Sequence, residues 1–171
     1  MKLPWDFLNQ WKVKGIVLGT AKKQKHIVYG RQAMNVQLPG FLKAYTKDYD
    51  IYSKNPKKSA NVMQARLDRE VACGEDVFFM KAAQHKGTYR VMNKGPDRRK
   101  NTEDDYEVVD YTKSSQRVPY RVIDGVRYES LGSIERGKKK ILKDPESSYR
   151  HEKDRGDLQR IVIARRFRRR I

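Results

Sequence analysis

Only one of the 171 residues is a cysteine, Cys73, so no intrachain disulfide can form, and no Cys/His cluster has zinc-ligand spacing. That cysteine usage fits a reducing, intracellular compartment, the cytoplasm or the nucleus. Long apolar runs are missing as well. No stretch approaches the roughly 18 apolar residues that a membrane-spanning helix needs, and Met1–Trp11 is broken by Pro4 and Asp6 where a signal peptide would carry its apolar centre. No membrane is expected among the partners. Acidic residues are few: 21 Asp and Glu stand against 39 Lys and Arg, a net charge of +18. Such a surplus on a chain this size favours a polyanion, nucleic acid above all, as partner. The plainer alternatives are a generic solvated surface and charge that suits nucleotide phosphates. With 37% hydrophobic and 35% charged residues, the chain can build one core and a heavily polar exterior. A single domain over 1–171 is expected, with a basic tail from about residue 164.

The stretch from Ile27 to Ser53 organises the rest. Ile27-Val28-Tyr29 is a β-branched and aromatic run that stops at Gly30. Gln32–Leu38 is suited to a short helix, and Pro39-Gly40 breaks the chain after it. Tyr49 and Ile51 then alternate with Asp48 and Asp50, and the pleat of a strand points both carboxylates to one side. Like charges that close repel and raise each other's pKa. A divalent cation relieves the penalty, and Mg²⁺ prefers carboxylate oxygens while keeping positions open for phosphates. A metal–phosphate site beside a glycine turn is one reading; the solvated face of an edge strand is the other.

The remaining elements follow from pattern. Trp5, Leu8 and Trp11 have helical spacing and are expected to pack one helix edge on the core, with Lys22–His26 a basic loop or helix end and His26 at the surface. Asn55-Pro56 starts a helix whose core face is Ala60, Met63, Leu67 and Val71, and Gly74 ends it. Val77–Met80 and Thr88–Met92 read as a hairpin around Gln84–Gly87, with His85 at the turn, and 93–105 reads as a mobile loop. Tyr106–Tyr111 is a strand bearing Glu107 and Asp110. Glu107 lies three residues before Asp110, which assigns it to the opposite face. Asp110 and Lys113 approach a nuclease-type acid-x-Lys strand, but their spacing also separates them to opposite faces. Asp124-Gly125 marks a second hairpin. Arg136–Lys143 is a basic helical stretch in which Lys138, Lys139 and Lys140 are candidate nucleic-acid contacts or simply a solvated face. Ser147–Ala164 reads as the last helix, with Tyr149, Leu158, Ile161 and Val162 as its apolar stripe. Arg165, Arg166, Arg168, Arg169 and Arg170 surround Phe167, a composition suited to phosphate backbones.

Tyr29-Gly30-Arg31-Gln32-Ala33-Met34-Asn35 followed by Thr46-Lys47-Asp48-Tyr49-Asp50 resembles the signature of the polymerase-β-like nucleotidyltransferases. The likeness is nearest to the poly(A)-polymerase-like group of large DNA viruses, and Arg150–Leu158 echoes a pattern that closes many such domains, with a structural role in ion pairing along the helix. The resemblance implies an α/β (α+β) nucleotidyltransferase fold, a small mixed sheet with flanking helices. It implies transfer of a nucleoside monophosphate from an NTP to a nucleic-acid or other acceptor, with Mg²⁺ or Mn²⁺ as cofactor. Asp48, Asp50 and Asp110 are the implied metal-holding and catalytic carboxylates, and Gly30, Arg31, Asn35 and Lys153 the nucleotide contacts. Arg31 departs from the family's usual Gly or Ser; by filling the phosphate site it would leave a non-catalytic protein that binds nucleic acid as a structural or packaged component. About 60 residues follow Asp110, which points to a protein partner for acceptor recognition or to a small acceptor. The viral likeness adds a viral factory or the virion to the expected locations.

Overall fold

The computed structural model describes residues 5–168, and side chains within 9–167. The elements run α1 (Trp5–Gln24), β1 (Ile27–Tyr29), α2 (Gly30–Gln37), β2 (Tyr49–Tyr52), α3 (Pro56–Glu70), β3 (Phe78–Ala82), β4 (Tyr89–Asn93), β5 (Tyr106–Thr112), β6 (Tyr120–Ile123), β7 (Val126–Glu129), α4 (Leu131–Ile141) and α5 (His151–Arg168), with 3₁₀ turns at Gly40–Leu42 and Pro145–Arg150. The strands form one mixed sheet in the order β3-β4-β5-β2-β1-β7-β6. Its centre mixes directions: β2 runs parallel to β5 and antiparallel to β1, and β1 runs parallel to β7.

The pleat divides the sheet into two chemistries. Ile51 and Tyr111 are adjacent across β2 and β5 and fully buried, together with Val109, under α3. Ala60, Met63, Leu67 and Val71 of the α3 segment supply the opposing surface. The start of α3 has the local chemistry its sequence demands: Pro56 stands in the first turn, and the Asn55 side chain accepts from Lys58 N at 3.2 Å. On the other face α2 packs against β1, β2 and β7 and is backed by α4, which carries α5.

Four expectations are corrected. The first helix continues to Gln24, and its described core edge is Val13, Val17 and Ala21; Trp11 is 77% exposed, and the side chains of Trp5 and Leu8 lie outside the described residues. His26 is half-buried, edge-on to Tyr111 at 6.0 Å, and burial lowers its pKa. Tyr149 sits in the 3₁₀ turn and is 79% exposed; the inward face of α5 is Asp154, Asp157, Ile161 and Ala164. The 94–105 segment is cross-tied: Asp105 Oδ2 accepts from Asn101 N and Thr102 N, and Asp104 Oδ2 accepts from Asp97 N. No helix among the described residues is long and apolar enough to cross a membrane.

Candidate active site

Gly30 has φ +67, and a Cβ there would collide with the Asp50 carboxylate. Only glycine serves at this position, for both reasons. The turn therefore brings the first residue of α2 against the carboxylate of β2. Tyr29, one residue earlier, pairs with Asp50 across β1 and β2, and its ring stacks on Tyr52 at 4.0 Å. On the other side of β2, Asp50 stands directly beside Asp110 of β5, so the two carboxylates share a face. Asp48, just before β2, is steadied from both ends: Thr46 Oγ1 donates to its Oδ1 at 2.7 Å, and Gln32 Nε2 donates to its carbonyl at 3.2 Å.

Glu107 joins this group, contrary to the strand period. Between β4 and β5, Val91 pairs with Val109 but Met92 pairs with Glu107, leaving Val108 as an extra residue in β5. This β-bulge resets the pleat. Val108 and Val109 are both buried, and Glu107 turns to the side of Asp110. Arg90, opposite Asp110 on β4, spans the two: its Nε is 3.2 Å from Glu107 Oε2 and 3.6 Å from Asp110 Oδ2. The Val-Val doublet next to an acid was the one available signal, and it names no bulge by itself.

The electrostatics are those of crowded, half-desolvated like charges. Burial, then Asp48, Asp110 and Glu107, push Asp50 up to about 7, with Lys153 of α5 acting in the opposite direction. Burial lifts Glu107 to about 7 against the pull of Arg90. Asp110 is also raised, first by burial; Arg90 and His85, exposed in the β3–β4 turn, oppose the rise. Asp110 Oδ1 is buried and has no hydrogen-bond partner. An orphaned carboxylate oxygen among raised acids fits a cation, and Asp48, Asp50 and Asp110 supply the hard oxygen donors that Mg²⁺ or Mn²⁺ prefers. Among the described residues no three such side chains already converge as a finished metal cage. Asp48 is turned to Thr46 and Asp110 to Arg90.

Other expected contacts lie elsewhere. Asn35 is committed to the 38–48 connection: Nδ2 donates to Ala44 O at 2.6 Å and Oδ1 accepts from Ala44 N at 3.0 Å. Arg31 turns to α5, its Nη2 3.3 Å from Asp157 Oδ1. Lys138 is buried, its Nζ 2.6 Å from Asp154 Oδ1 and 2.7 Å from Asp157 Oδ2, so it is not available to nucleic acid. Its place in the basic triplet misled because one residue in three or four of a helix faces inward. Lys139 and Lys140 are exposed, Lys139 pairing with Glu135 at 2.7 Å. Arg165 also pairs with Glu135, and Arg166 is exposed. The side chain of Arg168, and Arg169 and Arg170 entirely, lie outside the described residues.

This sheet, with a glycine turn entering a helix and carboxylates on adjacent central strands, has the nucleotidyltransferase fold. The Megavirus polyadenylate synthase matches it with a TM-score of 0.76 at 18% identity, over 95% of this chain and 33% of that one. JHP933 from Helicobacter pylori matches with a TM-score of 0.54 at 13% identity, over 88% of this chain and 63% of that one. The chain thus spans a third of the synthase and under two-thirds of JHP933, and at these identities the likeness is one of fold. No protein-family model matches the chain, and no curated protein sequence does.

Proposed function

We propose that this chain is a metal-dependent nucleotidyltransferase domain that moves a nucleoside monophosphate from an NTP to a nucleic-acid or other acceptor. The observation that carries the reading is the side-by-side placement of Asp50 and Asp110 against Gly30, with Asp110 Oδ1 left orphaned. Asp48, Asp50 and Asp110 would hold Mg²⁺ or Mn²⁺, which when bound neutralises the triphosphate and polarises the attacking hydroxyl. Asp110 accepts the acceptor's proton as its oxygen bonds to the α-phosphorus and pyrophosphate leaves. Gly30 lets the start of α2 approach the Asp50 carboxylate, and Lys153 would offer the phosphates a positive charge from α5. Arg31 is paired with Asp157, which supports a reading in which it does not fill the phosphate site.

A second reading keeps the fold without turnover, as a nucleic-acid-binding component. It is favoured by Arg90, whose guanidinium already bridges Glu107 and Asp110. Label transfer from each of the four α-labelled NTPs, with Mg²⁺ or Mn²⁺ and RNA, DNA or protein acceptors, separates the two. Transfer by the wild type that falls at least about a thousandfold in Asp48→Ala/Asp50→Ala is expected. Absence of transfer with every nucleotide, metal and acceptor would leave the binding reading.

A further inference from the structure

A groove of about 750 Å³ lies at the end of β1 remote from Gly30, between the C-terminal ends of β2 and β5 and the start of α3. Lys25, Lys54, Lys58, Lys113, Arg117 and Arg127 line it, and no aspartate or glutamate does. They come from separate segments: the end of α1, the approach to α3 and its first turn, the chain after β5, and β7. Among the described residues none of the six takes part in an ion pair. Five of the six are exposed and Arg127 is half-buried, so the groove presents a wall of one sign to an incoming anion. The N-terminus of α3 adds its positive dipole end to the same wall.

The volume falls within the range of small-molecule cavities, about 300–1,000 Å³, so size alone does not select the ligand. The rings do. Tyr120 is 42% exposed, with the Arg127 guanidinium 4.8 Å from its ring centre. Tyr52 lines the groove and stacks on Tyr29 at 4.0 Å. Aromatic faces beside a cationic track suit unstacked bases, which only a single strand presents. We propose that this groove binds single-stranded nucleic acid through its phosphates.

The test is fluorescence-anisotropy binding of short labelled oligoadenylate and oligouridylate to the full chain across a salt series. It runs in EDTA without NTP, so a chain that never transfers a nucleotide can still pass and one that does can still fail. Lys54→Ala/Lys58→Ala/Lys113→Ala is compared with Lys12→Ala/Lys43→Ala/Lys143→Ala, which removes equal charge from exposed positions elsewhere. The groove variant is expected to bind about tenfold more weakly, with a salt slope shallower by about 2, near 0.7 for each lost phosphate contact. The control should stay within about twofold of wild type by the same reasoning. Equal losses in both variants, an unchanged slope in the groove variant, or tighter wild-type binding to the matching duplex would overturn the proposal.

Discussion

Beneath α5, Asp154 and Asp157 have no solvent exposure, yet each meets cations at close range. Lys138 reaches both, Arg150 joins Asp154 at 2.9 Å, and Arg160 joins Asp157 at 2.6 Å, with Arg31 beside them. On the open face of the sheet, Asp50, Asp110 and Glu107 crowd together with Arg90 as their bridging cation, and the groove cations a short way along meet no acid at all. One region pairs each buried acid with two or more cations; the sheet cluster leaves three acids to one arginine, and the groove leaves its cations largely to solvent. Compensated burial is how a helix pair is clamped, whereas crowded acids with too few cations mark a candidate ligand site. The density of charge along the chain does not distinguish the two. The Lys138–Lys140 run announces itself and is partly structural, while the groove is assembled from lysines and arginines that no run contains.

Lys138→Met probes the contrast most strongly. Removing the cation shared by two buried carboxylates, which keep Arg150, Arg160 and Arg31, should cost about 2 to 3 kcal/mol in urea unfolding. An unchanged midpoint would erase the difference between the regions.

The sheet cluster should behave oppositely. Asp50, raised to about 7, binds a proton in the folded state that the unfolded chain releases near pH 4. The folded state therefore holds more protons between those values, and stability should fall as pH rises from about 4 to 7. Asp154 is lowered: burial alone would raise it, but Lys138 and Arg150 outweigh that. Its contribution should persist at neutral pH and be lost only in acid, as pH falls below its ordinary value. Asp50→Asn should flatten the decline between pH 4 and 7 and stabilise the chain by about 1–2 kcal/mol at pH 8. A steeper decline in that variant would contradict the assignment.

Divalent cation sharpens the same point. At pH 8, Mg²⁺ at about ten times its Kd should stabilise the wild type by about 1.4 kcal/mol, read as a rise in Tm of about 3–6 °C. Asp48→Ala/Asp50→Ala should show no rise. The smallest effect belongs to Lys139→Ala/Lys140→Ala. With Lys139 already paired to Glu135, oligonucleotide affinity should change less than about twofold.

Much of this was legible in the chain. The glycine turn, the Asp-x-Asp strand, the α3 core face and the Asp124-Gly125 hairpin each depend on residues within a few positions of one another, where turn chemistry and periodicity act. So does the i,i+4 pair of Arg150 and Asp154. Sequence alone thus determined that the chain carries a basic surplus, helices and strands of these types, and a strand bearing Asp50 with Asp48 just before it. Only the tertiary structure decided which charges are spent and which are held open. Strand pairing brought Asp110 beside Asp50, and the Val108 bulge turned Glu107 to join them. Helix packing buried Lys138 and drew Arg31 to Asp157. Whether a charge is compensated depends on neighbours distant along the chain, and local propensity carries no information about them.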